Sequence, residues 1–171
     1  MTIVIFSCDN EISMSAVIRP PLGPNSVTPA VRWAGFLGLV PFVFALGLVT
    51  IGASRGMAPL GLQIATAWGA VILTFIAAVH WGLALAGRLP WSIQTIVAST
   101  SPSIVGGMAI LIAGERGMAI LIAGFGLFWL YENRTHAETL PADYLDLRRV
   151  LTLCVCTLLV LTAFAASGVA S

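Results

Sequence analysis

The chain has 171 residues, 58% hydrophobic and 9% charged, with a formal net charge of +1 and a mean hydropathy of +1.00. A soluble domain carries about a quarter charged residues to keep its surface hydrated. This composition therefore excludes a soluble globular fold and predicts an integral membrane protein. All of its basic residues are Arg, and a balance so close to neutral gives no electrostatic footprint for nucleic acid.

The apolar runs are continuous, without period-two alternation, which predicts helices rather than a barrel. Residues 1–30 read as a flexible, Pro-rich tail, with Pro20, Pro21, Pro24 and Pro29 in its second half. The apolar start, Met1 to Cys8, lacks a basic leader and is too short for a signal sequence, and Met14 is an alternative start. Residues 31–171 form the membrane domain.

The first predicted span covers about residues 33–52, close to the ~20 residues that cross the hydrocarbon layer. Pro41 inside it frees the Leu37 carbonyl and predicts a kink. The second span covers about residues 63–86. The third covers about residues 91–113, with Pro90 in its first turn and Pro102 in its interior.

The octapeptide GMAILIAG then occurs twice, at 107–114 and at 117–124, separated only by Glu115 and Arg116. One helix running from Pro90 through Tyr131 would be about 42 residues and roughly 63 Å long, twice a bilayer. It would also bury two charges in hydrocarbon at about 2.5–3.5 kcal/mol each. Two helices meeting at a turn, with Gly114 and Gly117 flanking the charges, avoid that cost. The fourth span is then about residues 117–131. Two copies ten residues apart match no repeat architecture, so the repeat reads as a duplication tolerated at a loop.

The stretch Leu140 to Thr152 carries Leu140, Tyr144, Leu147 and Leu151 in an apolar stripe, with Asp143, Asp146, Arg148 and Arg149 on other faces. It predicts a short amphipathic helix on the membrane surface. A sharper possibility is that this segment caps the second span and brings Asp143 or Asp146 near His80 or Arg88. The fifth span covers about residues 150–170. The expected fold is thus an all-α integral membrane bundle of five transmembrane helices plus one interfacial helix.

With five spans, Arg19, Arg32, Arg88, Arg134, Arg148 and Arg149 share one side, and Arg55 and Arg116 the other. The excess of Arg predicts a cytoplasmic N-terminus and a periplasmic C-terminus in a bacterial inner (plasma) membrane. Trp33, Trp81, Trp91, Trp129 and Tyr131 fall near span ends, as an interfacial belt does.

His80 is the one ionisable residue within the predicted spans, and Gly69, Leu73, Ile76 and His80 share a helical face. Gly69 lets a neighbouring backbone approach there. An intramembrane ionisable group is a functional-site candidate. The structural alternative is a neutral imidazole bonded to a freed carbonyl. A haem held between helices wants two facing histidines, and His136 lies in a loop.

Gln94, Ser99, Thr100, Ser101 and Ser103 cluster around Pro102, which leaves the Ala98 carbonyl without its usual donor. Their side chains either repair that backbone or line a polar pocket. Cys154 and Cys156 point about 200° apart on a helix, so they read as small packing residues. No nucleophile elbow, phosphate loop or metal-ligand spacing is present. The sequence therefore predicts no cofactor and no metal, and no enzyme constellation.

Four segments then set a pattern in order: VRWAGFLGLVPFV, AWGAVILTFIAAVHWG, STSPSIVGGMAIL and P-x-x-Y-x-x-L-R-x-x-L-T. Together they resemble the transmembrane protein 69-like family, small multi-span proteins of unknown function, over roughly residues 30–168. The positions matching that pattern are Pro41, Phe42, Gly69, His80, Trp81, Gly82, Pro102, Tyr144, Leu147, Arg148 and Thr152. The chain departs from it at Trp68, where the family has Tyr, at Ala77 and Ala78, where it has glycines, and at Gly107, where it has Trp.

Two functions are expected from these features. One is a non-catalytic accessory or assembly protein packing against a larger membrane complex or against itself, through small residues such as Ala34 with Gly38 and Gly82 with Ala86. The alternative is a small proton-linked carrier using His80, Gln94 and the polar kink at Pro102.

Overall fold

The computed structural model describes residues 27–135 and 141–170, all of whose regular structure is helical. Met1, Cys8, Met14, Arg19, His136 and Leu140, on which some of the sequence expectations rest, lie outside the described residues. The helices are α1 (Pro29–Leu37), α2 (Val40–Thr50), α3 (Ala58–Leu85), α4 (Ile93–Ile112), α5 (Gly114–Thr135) and α6 (Ala142–Ala170).

The first apolar run is α1 and α2 with a break at Gly38 and Leu39. Pro41 cannot donate, and the Phe42 amide turns to Leu39, so the Gly38 carbonyl loses its helical partner. The Trp68 indole donates to it at 3.0 Å. The predicted kink is present, and an interhelical hydrogen bond from α3 repairs it.

Pro90 precedes α4 rather than opening it. Ser92 is the N-cap, its hydroxyl accepting from the Thr95 amide, while the Thr95 hydroxyl donates to the Pro90 carbonyl. Helix α4 runs unbroken through Pro102.

The repeat is divided between two helices, as expected, but the reversal falls one step early. It is made by Ala113 and Gly114, at φ 55° and 59°. Glu115 and Arg116 lie in the first turn of α5, where the carboxylate faces the positive end of the helix.

The surface helix predicted before the fifth span is absent as a separate element. Residues from Ala142 onward form one continuous helix, because Pro141 precedes it and nothing between Ala142 and Ser167 breaks it. Among the described residues, four helical stretches are long and apolar enough to cross a membrane: Pro29–Thr50, Ala58–Leu85, Ile93–Ile112 and Ala142–Gly168. Helix α5 spans 22 residues, longer than the predicted fourth span, but it carries Glu115, Arg116, Glu132 and Arg134 near its ends and falls short of them in apolarity.

Close contacts fix the directions. A Cβ on Gly61 would meet the Ala45 carbonyl at 2.7 Å, and one on Gly69 would meet Leu121 at 2.7 Å. Gly106 lies against Ala70, Gly117 against the Ala109 carbonyl, and Gly124 against Leu73 and Val105. The α1–α2 run, α3, α4, α5 and α6 therefore alternate in direction, with α5 antiparallel to α4 and parallel to α3. The core is built from Phe42, Leu73, Met118, Leu121, Phe125 and Leu159.

Large apolar side chains also cover the outside, among them Ile51, Phe75, Ile93, Ile104, Leu111 and Phe164. A soluble monomer does not expose so much contiguous apolar surface, whereas lipid solvates it. The protein is a multi-pass membrane protein.

Candidate functional site

The end of the bundle that gathers the C-terminal ends of α3 and α5 and the N-terminal ends of α1, α4 and α6 holds the polar side chains of greatest interest. On α3, the face Gly69, Leu73, Ile76, His80 is buried throughout, and His80 is 0% exposed. Its ring meets Phe128 edge-on at 5.4 Å and lies 6.1 Å from the ring of Tyr131.

One turn beyond Phe128, Glu132 accepts a hydrogen bond from Arg148 Nε at 3.1 Å. The pair is buried, with side chains 1% and 9% exposed. The Arg148 guanidinium also lies 5.9 Å from the centre of the Phe128 ring, a cation–π contact. Tyr144, one turn before Arg148 on α6, stands close enough to feel both charges. Phe128 thus touches both His80 and the ion pair, and the cluster ties α3, α5 and α6 together at one end.

Arg148 reaches Glu132, so the acid that pairs with it comes from α5. Asp146 is exposed and Asp143 half-buried.

Of the seven candidate residues, His80, Tyr144 and Arg148 converge here. Gly69 lies deeper, against Leu121 and Phe42. Trp81 turns outward and packs edge-on against Trp91 at 5.3 Å. Gln94 and Pro102 line a groove of about 630 Å³ between α4 and α5, whose far wall is Phe128 and Tyr131.

The hydroxyls near Pro102 follow neither expected pattern fully. Ser99 and Thr100 both donate to the Ile96 carbonyl, at 3.0 and 2.8 Å, and not to Ala98.

Sequence reasoning missed Glu132 and Phe128, treating Glu132 as the start of a loop. A signal was available. The buried face of α5 runs Met118, Leu121, Phe125, Phe128, Glu132, so extending the apolar stripe by one turn places the carboxylate inside.

A second groove, of about 400 Å³, opens between α1, α3, α5 and α6. Ala34, Ile72, Phe75 and Phe125 are among its walls, and Tyr144 and Arg148 form its polar end. Leu147 and Leu151 of the predicted surface stripe face this groove, and Leu151 fills the space beside Gly35.

Fold and cluster together define a helical, multi-pass membrane protein with a buried Arg–Glu pair and an adjoining His at one end. Residues 27–164 match the family described as "Protein of unknown function (DUF3429)". The chain belongs to that family, in agreement with its resemblance to transmembrane protein 69-like sequences. It is also 29% identical over 126 residues to "Transmembrane protein 69" of Xenopus tropicalis, a match covering 70% of this chain and 48% of that one. The chain therefore aligns with about half the length of that relative. No solved structure matches it.

Proposed function

We propose that this chain is a five-span protein of a bacterial inner membrane, its N-terminal side cytoplasmic, which acts as a non-catalytic accessory or assembly component of a larger membrane complex. The fifth span in this count is α5. Its charges sit at its two ends, and it lies antiparallel to α4 along its length. Arg32, Arg88, Arg134, Arg148 and Arg149 then fall at one end of the bundle and Arg55 and Arg116 at the other, which favours the first end as cytoplasmic.

The observation that carries the accessory reading is the use made of the polar groups. Arg148 binds Glu132, and Thr66, Ser99, Thr100 and Thr162 each return to a backbone carbonyl of their own helix. Such groups hold a shape. Beside them, Gly82 is exposed, with no atom within 4 Å of a built Cβ, next to the outward Trp81–Trp91 pair, and a partner helix could approach closely there.

Mild-detergent isolation from native membranes tests this. A stoichiometric larger particle is expected. A lone chain or a homo-oligomer would overturn the reading.

The full burial of His80 beside Tyr131, which itself lines the Gln94–Pro102 groove, favours a second reading, a small proton-linked carrier. It predicts that His80→Ala abolishes a proton-coupled flux while the protein still folds. Unchanged uptake in that variant would remove this reading.

A further inference from the structure

The two halves of the first apolar run are held very differently. In α2, Phe42, Ala45 and Val49 are buried, and Gly61 of α3 lies against the Ala45 carbonyl. In α1 no residue is buried. Gly38 and Leu39 separate the halves near the middle of the run, where Pro41 has no amide to offer the Leu37 carbonyl. Across this break the Trp68 indole holds the Gly38 carbonyl. A few residues at the ends of two elements are enough to absorb a hinge rotation.

The groove of about 400 Å³ lies under the loosely held half. It is bounded by α1 through Val31, Ala34 and Gly35, and not by α2. Helix α1 turns Ala34 and Gly35 toward the groove, while Trp33, Phe36 and Leu37 are exposed. Facing them are Phe75 and Val79 of α3. On the α6 flank, a Cβ on Gly35 would meet Leu151 Cδ1, the end of a flexible side chain. In lipid, the approach of two helices is governed by packing, and small residues permit the closest approach.

We propose that α1 is a hinged flap. It pivots at Gly38 and Leu39 between the observed position and one closed onto α3, in which its own Ala34–Gly35 face fills the groove and covers Tyr144 and Arg148. Helix α1 has nine residues and is about 14 Å long, so a turn of about 20° moves its tip by about 5 Å. The inference goes beyond the accessory reading. It is tested on the isolated chain, so its failure is separable from the absence of a complex.

The full chain, with Cys8, Cys154 and Cys156 replaced by alanine, is spin-labelled in phosphatidylcholine nanodiscs at Arg32→Cys on α1 and Asn133→Cys on α5. Pulsed dipolar spectroscopy then reads the distance between the labels. A second pair, Val43→Cys with Asn133→Cys, reports on the anchored half. Two distances about 5 Å apart are expected for the Arg32 pair, and one for the Val43 pair.

Ala34→Phe places a ring in the groove and should leave the longer distance alone. Pro41→Ala restores an amide for the Leu37 carbonyl, stiffens the break and should also leave one distance. A single distance in the parent Arg32 pair, as narrow as that of the Val43 pair, would overturn the proposal. So would two distances that survive both substitutions, because the motion would then arise neither at this break nor over this groove.

Discussion

Arg148 and Glu132 are the residues on which the packing of this end of the bundle depends. Each charge is tolerable only because the other is there, with Phe128 beside the guanidinium. Removing one partner from a buried pair strands the other and typically costs about 3–5 kcal/mol, whereas replacing both with apolar groups of similar volume is close to neutral. Arg148→Ala is therefore expected to destabilise the protein by about that amount in a reversible unfolding titration, and the Glu132→Leu, Arg148→Met pair by far less. Equal losses for the single and double variants would show that the two side chains do not depend on each other.

Arg148 was legible in the sequence as a position of the family pattern, but its partner was not. Periodicity identifies which face of α5 is buried, and it does not say that the last residue on that face is an acid. The pairing also needs the end of α5 to meet the start of α6 across a loop, a long-range fact that local spacing does not hold.

At the level of the elements, the repeated octapeptide separates sequence from environment. Met108 is 47% exposed and Met118 fully buried, and Leu111 is 81% exposed where Leu121 is fully buried. Identical residues take opposite roles because α4 turns this stretch outward and α5 turns it toward the core. The sequence showed that two helices must meet there, from the cost of burying Glu115 and Arg116. It did not show which copy would be inside, because both have the same moment and only packing against α3 decides between them.

The α6 segment shows the opposite failure. Its stripe of Tyr144, Leu147 and Leu151 was correctly read as one apolar face, but that face meets a groove between helices rather than a membrane surface. A stripe defines a face and not what covers it.

The closest crossing of α3 and α4 makes a prediction at this scale. A Cβ on Gly106 would meet Ala70 Cβ at 3.1 Å and Ala70 backbone at 3.2 Å, and backbone cannot move aside as a side-chain tip can. Gly106→Leu is expected to force the helices apart and destabilise the fold by several kcal/mol, about 1–3 or more by analogy with overpacked cores. Gly107→Leu, at an open and exposed position one residue on, should be near neutral in the same unfolding assay.

For the whole molecule, composition alone established membrane residence, and the apolar runs established most of the crossings. The weak point was α5, short in apolar length and charged at both ends. In a bundle it does not face lipid all round: its buried stripe packs on α3 and its terminal acid is neutralised by α6. A helix with such partners crosses a bilayer with less apolar character than an isolated one needs. If α5 crosses, the two ends of the bundle are the two sides of the membrane, and we propose from the Arg distribution that the end with the His80–Glu132–Arg148 cluster is the cytoplasmic one.

The most direct measurement of this account compares reporters active only outside the cytoplasm, inserted after Ala113, placed near Arg134, and fused after Ser171. Five crossings predict activity after Ala113, silence near Arg134 and activity after Ser171. The same response at Ala113 and Arg134 would show that α5 does not cross, and the reverse pattern at all three sites would invert the orientation and contradict the Arg distribution.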